Sequence, residues 1–402
     1  MYFISDTELT TRLKNIFLFL ICSYFASLCL FPSKTEAFGF IALALALIQI
    51  SKNDRFYFFK DPALYALLAF GAYSSAVNAW GPGEVARTGI IYGWTVPFLV
   101  GKAFARFNST NLLKHVFFAA VALAGFMLVA QILYHLGIRQ IGDLNLGMNS
   151  LTLTFRNSSR TAIFVATGAL VCLSYAISSD NRQKIFVAAC SCATLISALV
   201  GTGSRMTLTA FLICSGIFLF LQKKLRLLFF IILAILCLVL FFGKEQRFNL
   251  NPSHLISIQS ATERFTVWYA AWETFKEHPL TGTGFRTFKD VAAPHVAKYR
   301  NSHPQQHEYA TLSDAHNIIL HLLSEGGLIG TLIFSLIFFF ASHNAWKIRS
   351  KNSAILPLIL CVLLFFLHAQ LHVNIFTSNV SGLLFLITGI LSGIKPETER
   401  FS

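Results

Sequence analysis

The sequence has few charged residues, and this scarcity excludes a water-soluble globular protein. Only 12% of its 402 residues are Asp, Glu, Lys or Arg, where soluble domains usually have about a quarter. Hydrophobic residues make up 55% of the chain, and the mean hydropathy is +0.62. The composition therefore predicts a protein embedded in a lipid bilayer.

Several features that would indicate other kinds of site are also missing. The sequence has no Walker loop for nucleotide phosphates and no Asp-x-Asp pair on its predicted outer side for a divalent metal. His303 and His307 have the spacing of zinc ligands, but Pro304 disfavours a helix start and no third ligand follows. All eight cysteines lie in predicted membrane spans, so no disulfide is expected. We predict no metal and no cofactor.

Apolar runs that approach the roughly 20 residues of a membrane-spanning helix occur twelve times. They cover residues 16–31, 37–50, 63–80, 89–105, 115–137, 161–178, 185–201, 206–221, 227–242, 316–342, 355–371 and 381–394. The fold class that follows is an all-α polytopic membrane protein. Residues 1–242 hold nine spans, residues 243–315 form one large loop, and residues 316–402 hold the last three spans.

The positions of the positive charges indicate the orientation of these spans. The net charge of +14 would suggest nucleic-acid binding in a soluble protein, but in a membrane protein Lys and Arg mark the cytoplasmic loops. Eighteen of them lie in the terminal tails and one set of alternate connections, against six in the short connections of the other side. Both termini are therefore predicted to be cytoplasmic, with residues 243–315 outside and no nucleic-acid partner.

The large loop contains signals for one amphipathic helix, at about residues 261–278. Ser260 and Glu263 have the spacing of a capping box at a helix start. Four aromatic residues then recur at helical spacing on one face: Phe265, Trp268, Trp272 and Phe275. This pattern predicts a helix that lies on the membrane or caps the bundle. Beyond it, Gly282 and Gly284 predict a tight turn with exposed backbone N–H groups, which returns Arg286 towards the membrane.

Arginines on the predicted outer side are candidates for binding an anion. Arg205 lies in a short Gly-Ser-Arg turn between two apolar runs, where an ionisable residue usually faces a cavity or a partner. The alternative is an arginine that extends to the lipid headgroups. Arg156 and Arg160, at the start of the sixth run, raise the same two possibilities. Arg87 has a simpler explanation, an ion pair with Glu84.

A second candidate group begins the tenth run. His316 stands at its outer end, and Asp314 lies two residues earlier, where its carboxylate can orient the imidazole. A histidine at a helix start is often purely structural, but this one faces the same side as the surplus arginines. A base beside anion-binding cations suits transfer chemistry. His321 is expected to pack in the bundle, and Glu325 to pair with one of the arginines.

These residues resemble a known family. His316-Asn317, followed after nine residues by Gly327 and after two more by Gly330, resembles the signature of the O-antigen ligases. The wider O-antigen ligase and polymerase superfamily is similar at further positions: Arg264, Trp268, Pro279, Gly282, Gly284 and the Gly-Ser-Arg turn. Together with the twelve spans and the large outside loop, the resemblance extends over most of the chain.

The resemblance implies a GT-C-like glycosyltransferase of the bacterial inner membrane with its active site at the periplasmic face. Its reaction would be metal-independent and inverting, with undecaprenyl-diphosphate-linked O-antigen as donor and a sugar hydroxyl of lipid A-core as acceptor. His316 corresponds to the family's catalytic histidine, and Arg205 and Arg264 to its functional arginines. Arg156, Arg160 and Arg286 are added to the expected diphosphate site by location alone.

Other functions remain open on the sequence. An O-antigen polymerase uses the same kind of donor, and a protein O-oligosaccharyltransferase is a further relative that is generally longer. A secondary transporter would be expected to have two similar halves, which this sequence lacks. A non-enzymatic assembly partner is the last alternative.

Overall fold

The structure is a computed structural model that describes most of the chain. The described residues are 41, 44, 58–80, 89–108, 112–138, 140–141, 144–145, 157–242, 258–303, 314–350, 352–373 and 376–394. Their helices are α1 Pro62–Trp80, α2 Gly89–Asn108, α3 Leu112–His135, α4 Ser158–Ser178, α5 Arg182–Gly201, α6 Arg205–Leu221, α7 Leu225–Phe242, α8 Ile258–Glu277, α9 Phe288–Ser302, α10 Ile318–Lys347, α11 Ile355–His368 and α12 Ser378–Gly393. A short antiparallel ladder joins β1 Gln140–Ile141 to β2 Leu144–Asn145.

The helices correspond closely to the apolar runs of the sequence. Ten of the twelve predicted runs coincide with α1 to α7 and α10 to α12. The other two, residues 16–31 and 37–50, lie outside the described residues except for Ile41 and Ala44, which are helical. Within the described residues, four stretches are long and apolar enough to cross a bilayer: Leu112–Tyr134, Ser158–Ser178, Arg182–Gly201 and Ile318–Lys347. The chain is thus a multi-pass membrane protein, and the total of twelve spans stays a prediction.

The described residues of the large loop form two helices where one was predicted. α8 begins at Ile258, so Ser260 lies within its first turn and does not cap it as expected. α9, over Phe288–Ser302, was not predicted, because Pro294 lies inside it and its apolar residues form no long run. α9 packs against α8, and their contact forms a small apolar core of its own, separate from that of the bundle.

The aromatic face of α8 is not the face that packs against the protein. Phe265 is 54% exposed and Trp272 is 46% exposed. The buried face consists of small residues that pack against α9 and the segment before α10: Val267, Ala270 and Ala271. Small side chains let two helix backbones approach closely. α8 therefore packs on α9 through small residues and leaves Phe265 and Trp272 exposed, and whether this face lies on the membrane or caps the bundle stays a prediction.

Among the described helices, α2 and α12 contact each other most extensively. Gly101 of α2 faces the backbone of Leu386, and Gly389 of α12 faces the backbone of Phe98, so that a Cβ at either glycine would overlap a carbonyl group. Small residues at such crossings are the usual way in which membrane helices pack, because van der Waals contact replaces the hydrophobic drive that lipid removes. This pair joins helices that are far apart in the sequence.

One predicted cytoplasmic charge is buried. Lys102 was counted among the loop lysines that set the orientation, but it is only 1% exposed, on α2. Its ammonium pairs with the carboxylate of Asp61, which also accepts a hydrogen bond from Ser392 of α12. Since an unpaired charge is costly at such a position, Lys102 joins α2 to the segment before α1 instead of marking a loop.

Candidate active site

α10 is interrupted near its start, and the interruption organises the outer end of the bundle. Gly327 has φ 62° and ψ −166°, which no helix accommodates. The break leaves the carbonyl groups of Ser324 and Glu325, and the N–H groups of Leu328 and Ile329, without their helical partners. Unpaired backbone groups are costly away from water. Something outside the helix must pair with them.

The turn that follows α8 supplies these partners. Thr283 N–H donates to the Ser324 carbonyl at 3.1 Å, and Gly284 N–H donates to the Glu325 carbonyl at 2.9 Å. On the other side of the break, Leu328 N–H donates to the Pro279 carbonyl at 2.9 Å. The next donor along α10, Ile329 N–H, donates to the carbonyl of Leu280. The loop therefore docks into α10 through backbone hydrogen bonds on both sides of the break.

The glycines of the resemblance are the residues that make this docking possible. Gly282 has φ 68° and Gly327 has φ 62°, and a Cβ at either position would overlap the backbone of the other segment. At Gly330, a Cβ would lie 2.8 Å from the Tyr73 ring. Gly284 has φ 106° and faces the Asn78 side chain. Their role in this structure is steric and conformational.

Two polar residues of α1 fix the same turn. Tyr73 Oη lies 2.8 Å from the Gly326 carbonyl and 3.0 Å from the Thr281 carbonyl. Asn78 accepts a hydrogen bond from Phe285 N–H at 2.7 Å and donates one to the Phe285 carbonyl at 3.2 Å. Both residues were overlooked in the sequence, since nothing in their apolar surroundings links them to a loop some 200 positions later.

The expectation of exposed N–H groups in this turn was wrong. Gly282 N–H donates to the His278 carbonyl, and the N–H groups of Thr283, Gly284 and Phe285 donate to Ser324, Glu325 and Asn78. All four donors are therefore used within the protein, and the turn cannot bind an anion through its backbone. Arg286, which follows, has φ 67° and an exposed side chain.

His316 lies just before α10 in a conformation that separates it from the helix. Its φ is 49°, which is uncommon for a residue with a bulky side chain and is often found at functional sites. Asp314 Oδ1 accepts the backbone N–H of His316 at 2.8 Å and lies 3.2 Å from its Nδ1. The Nδ1–H tautomer donates to this carboxylate and leaves the Nε2 lone pair to accept a proton. The His316 side chain is 30% exposed.

Asn317 starts the helix directly after His316. Its side-chain oxygen accepts hydrogen bonds from Ile319 N–H and Leu320 N–H, each at 3.0 Å, which is the geometry of an N-cap. Ile318 N–H donates to the carbonyl of Ala369, just past the end of α11. His316 is therefore held between its own carboxylate, a capped helix start and the end of α11.

A buried His–Glu pair lies deeper in α10. Glu325 Oε2 is 3.3 Å from His321 Nε2, and Glu325 Oε1 accepts the N–H of Phe288 at 3.0 Å, at the start of α9. Both side chains are almost fully buried. Among the described residues Glu325 thus pairs with a histidine and a backbone N–H, and not with an arginine as expected. The i,i+4 spacing of His321 and Glu325 was the signal in the sequence.

The Gly-Ser-Arg turn is connected to the end of α11 by buried hydrogen bonds. Ser204 Oγ lies 2.7 Å from Thr207 Oγ1, which in turn lies 2.8 Å from Nδ1 of His368. The next residue after His368 is Ala369, whose carbonyl receives the N–H at the start of α10. The end of α11 therefore brings the turn that carries Arg205 to the same end of the bundle as His316. Neither Thr207 nor His368 was singled out from the sequence.

The other predicted arginines lie on different elements of this end. Arg160 is in the first turn of α4 and half-buried, and its Nε has no hydrogen-bond partner within the described part of the chain. Arg264 lies on α8 and is partly exposed, whereas Arg205 on α6 is exposed. Arg156 lies outside the described residues. Hydrogen bonds thus connect the turn that carries Arg205 to the His316 segment through the end of α11. The structure shows no comparable connection to His316 for the other described arginines.

Residues 190–335 match a family model whose description is O-antigen ligase. The match covers less than half of the chain, but it includes the Arg205 turn, both loop helices, His316 and the break in α10. No curated protein matches the chain. The family match and the interactions described above therefore fall on the same residues.

Replacing Gly327 with Ala is expected to release the loop from α10. The new Cβ would be strained at a positive φ, by roughly 1–2 kcal/mol, and would also overlap Leu280 and Gly282. Trypsin should then cleave the full-length protein faster after Arg286 and Lys289, measured by mass spectrometry of the fragments.

The matched control is Gly137→Ala. Gly137 also has a positive φ, 87°, but a Cβ there has no atom within 4 Å, so this variant carries the strain without the overlap. Equal cleavage rates at the loop in both variants would contradict the docking role of Gly327.

Proposed function

Since residues 190–335 match the O-antigen ligase family model, we propose that the protein is an O-antigen ligase. It transfers a glycan from an undecaprenyl-diphosphate carrier to a sugar hydroxyl of lipid A-core, in the synthesis of lipopolysaccharide. The observation that carries this proposal is His316, oriented by Asp314 and held at the same end of the bundle as the Arg205 turn. A base beside a cationic turn is what this transfer requires.

The reaction is a single displacement with inversion at the anomeric carbon. His316 Nε2 takes the proton of the acceptor hydroxyl while the oxygen of that hydroxyl attacks the anomeric carbon of the donor sugar. The bond from that carbon to the diphosphate oxygen breaks, and the lipid diphosphate leaves with the bonding electrons. Asp314 stabilises the imidazolium that forms, since its carboxylate lies beside Nδ1. No metal is part of this scheme.

Arginines balance the charge of the leaving diphosphate. Arg205 is the first choice because the hydrogen bonds of Ser204, Thr207 and His368 connect its turn to the His316 segment. Guanidinium groups bind phosphate oxygens in pairs, and this stabilises the charge that develops as the bond breaks. Further arginines extend the proposed donor site: Arg264, Arg160, Arg156 and Arg286.

The proposed topology follows the sequence. Twelve spans in a GT-C-like arrangement lie in the bacterial inner membrane with both termini in the cytoplasm. Residues 1–242 and 316–402 carry the spans, and residues 243–315 form the periplasmic loop. The active site is then periplasmic, where a carrier lipid and lipid A-core both present their sugars.

A polymerase of the same superfamily is the second candidate, because the family match supports the ligase and polymerase group as a whole. Deletion of the gene followed by electrophoresis of lipopolysaccharide separates the two. A ligase deletion is expected to leave bare core and to accumulate lipid-linked polymer. A band of core with one repeat unit would instead identify a polymerase and overturn the proposed activity.

Replacing His316 with Ala is expected to lower kcat by about 10²- to 10⁴-fold, because the variant lacks the general base. The measurement is glycan transfer by the purified protein from lipid-linked donor to lipid A-core. His343→Ala is the matched control, since His343 is an exposed histidine near the other end of α10 and should keep full activity. Wild-type kcat in His316→Ala would exclude His316 as the base.

Replacing Arg205 with Ala is expected to lower kcat/KM for the donor by about 10- to 100-fold, the usual effect of losing a hydrogen bond to a charged group. Arg205→Lys should recover part of this loss, because a lysine restores the charge but not the paired geometry. Arg226→Ala, at an exposed position on α7 at the opposite end, is the control. If Arg205→Ala and Arg226→Ala have equal activity, Arg205 does not bind the donor.

A further inference from the structure

A buried chain of polar side chains joins α6 to α11 where apolar packing would be expected. Ser204, Thr207 and His368 are each less than one tenth exposed, and the neighbouring residues of α6 and α11 belong to the apolar core of the bundle. Polar and ionisable side chains are costly inside a membrane bundle and usually serve a function there. His368 lies outside residues 190–335, so the family match assigns it no role.

The chain forgoes stability at both of its ends. Ser204 is the N-cap residue of α6, but its side chain makes no capping hydrogen bond and lies instead 2.7 Å from Thr207 Oγ1. A serine at this position ordinarily stabilises a helix by accepting an N–H of the first turn. At the other end, Nε2 of His368 is buried without a hydrogen-bond partner among the described residues, which is unfavourable. Stability alone therefore does not account for the chain.

The chain fixes the first turn of α6, which carries Arg205. Ser204 precedes Arg205 and Thr207 follows it by two residues, so the two hydroxyl groups enclose it in the sequence. Within the chain, the bond that crosses to α11 is the one between Thr207 Oγ1 and His368 Nδ1, at 2.8 Å. A hydrogen bond weakens steeply when it is bent, whereas apolar contacts have no preferred direction. This bond therefore restricts the rotation of α6, and a long arginine side chain amplifies any rotation at its base.

His368 is itself fixed to the start of α10. The next residue, Ala369, accepts the N–H of Ile318 at 3.0 Å. The His368 ring also stacks on the ring of His372, with 5.4 Å between their centroids and 28° between their planes. The end of α11 therefore holds the first turn of α6 and the start of α10 in a defined relation.

We propose that Thr207 and His368 are positioning residues for the donor, whose hydrogen bond holds the Arg205 guanidinium where the donor diphosphate lies beside His316. This role rests on the proposed function, in which Arg205 binds that diphosphate. Neither Thr207 nor His368 contacts the substrate, and both act through Arg205. Loss of their hydrogen bond should therefore weaken donor binding only while Arg205 is present.

The first test compares single and double variants by their Kd for undecaprenyl diphosphate, measured by equilibrium binding to the purified full-length protein in detergent. Arg205→Ala is expected to raise the Kd by about 10- to 100-fold. Thr207→Val removes the hydroxyl at nearly constant volume and should raise the Kd by about 2- to 10-fold, the usual effect of one neutral hydrogen bond. In the Arg205→Ala background, Thr207→Val should raise it no further, because the group that Thr207 positions is absent.

Two further threonine variants serve as controls. Thr207→Ser keeps the hydroxyl and should bind the lipid as the wild type does. Thr388→Val removes an equally buried hydroxyl of α12, which bonds only to the Leu384 carbonyl of its own helix. It should also bind as the wild type does. Thermal unfolding checks that each variant is folded.

Two substitutions of His368 separate its hydrogen bond from the packing of its ring. His368→Phe keeps a ring that can stack on His372 but has no nitrogen, so it should bind the lipid as weakly as Thr207→Val does. His368→Asn has a smaller side chain whose amide occupies the place of Nδ1, and it should bind more tightly than His368→Phe. The opposite order would assign His368 a packing role and overturn the proposal.

The outcomes distinguish this proposal from the proposed function. An unchanged Kd in Thr207→Val, or an equal rise with and without Arg205, would overturn the positioning role and leave the proposed function in place. A wild-type Kd in Arg205→Ala would instead contradict the proposed donor site, and the positioning role with it. Undecaprenyl diphosphate is the leaving group for a ligase and for a polymerase alike, so the measurement does not depend on the acceptor.

Discussion

The outer end of this protein depends on the pairing of backbone groups where α10 is broken. A helix that enters a membrane normally satisfies its own N–H and carbonyl groups, and Gly327 removes that possibility for four of them. The turn at 279–284 is held in place because it alone supplies the missing donors and acceptors among the described residues. Tyr73 and Asn78 then lock the turn to α1. These hydrogen bonds hold the loop against the bundle, because each has one partner in the turn and the other in α10 or α1.

This pairing also determines what surrounds the proposed catalytic histidine. Glu325 lies just before the break, and its carboxylate fixes the start of α9 while binding His321. α9 in turn packs on α8, which carries Arg264. The part of the proposed donor site that lies in the loop, Arg264, is therefore carried by helices that the break positions, whereas His316 itself is fixed by Asp314 and by the end of α11. The break and the proposed base thus lie in one short motif but depend on different contacts.

The sequence predicted the membrane helices well and the loop poorly, for a physical reason. Run length and hydropathy report directly on burial in lipid, so ten runs matched helices to within a few residues. α9 has no such signal, since Pro294 and its polar surface resemble a loop. The Gly282 and Gly284 turn was recognised, but its N–H groups were taken as exposed, because their partners in α10 lie about 40 positions away. Lys102 was misjudged for the same reason, as its partner Asp61 is distant in sequence.

By itself the sequence determined that the chain lies in a membrane, which runs form its helices, and which histidine and arginines are candidates for transfer chemistry. Those properties depend on composition and on local spacing. Only the tertiary structure decided that the motif glycines serve to dock the loop, that Glu325 binds His321, and that Thr207 and His368 join the Arg205 turn to the His316 segment. These are contacts between side chains and backbone groups that only the fold brings together. The sequence lists the possible donors and acceptors but does not show which of them meet.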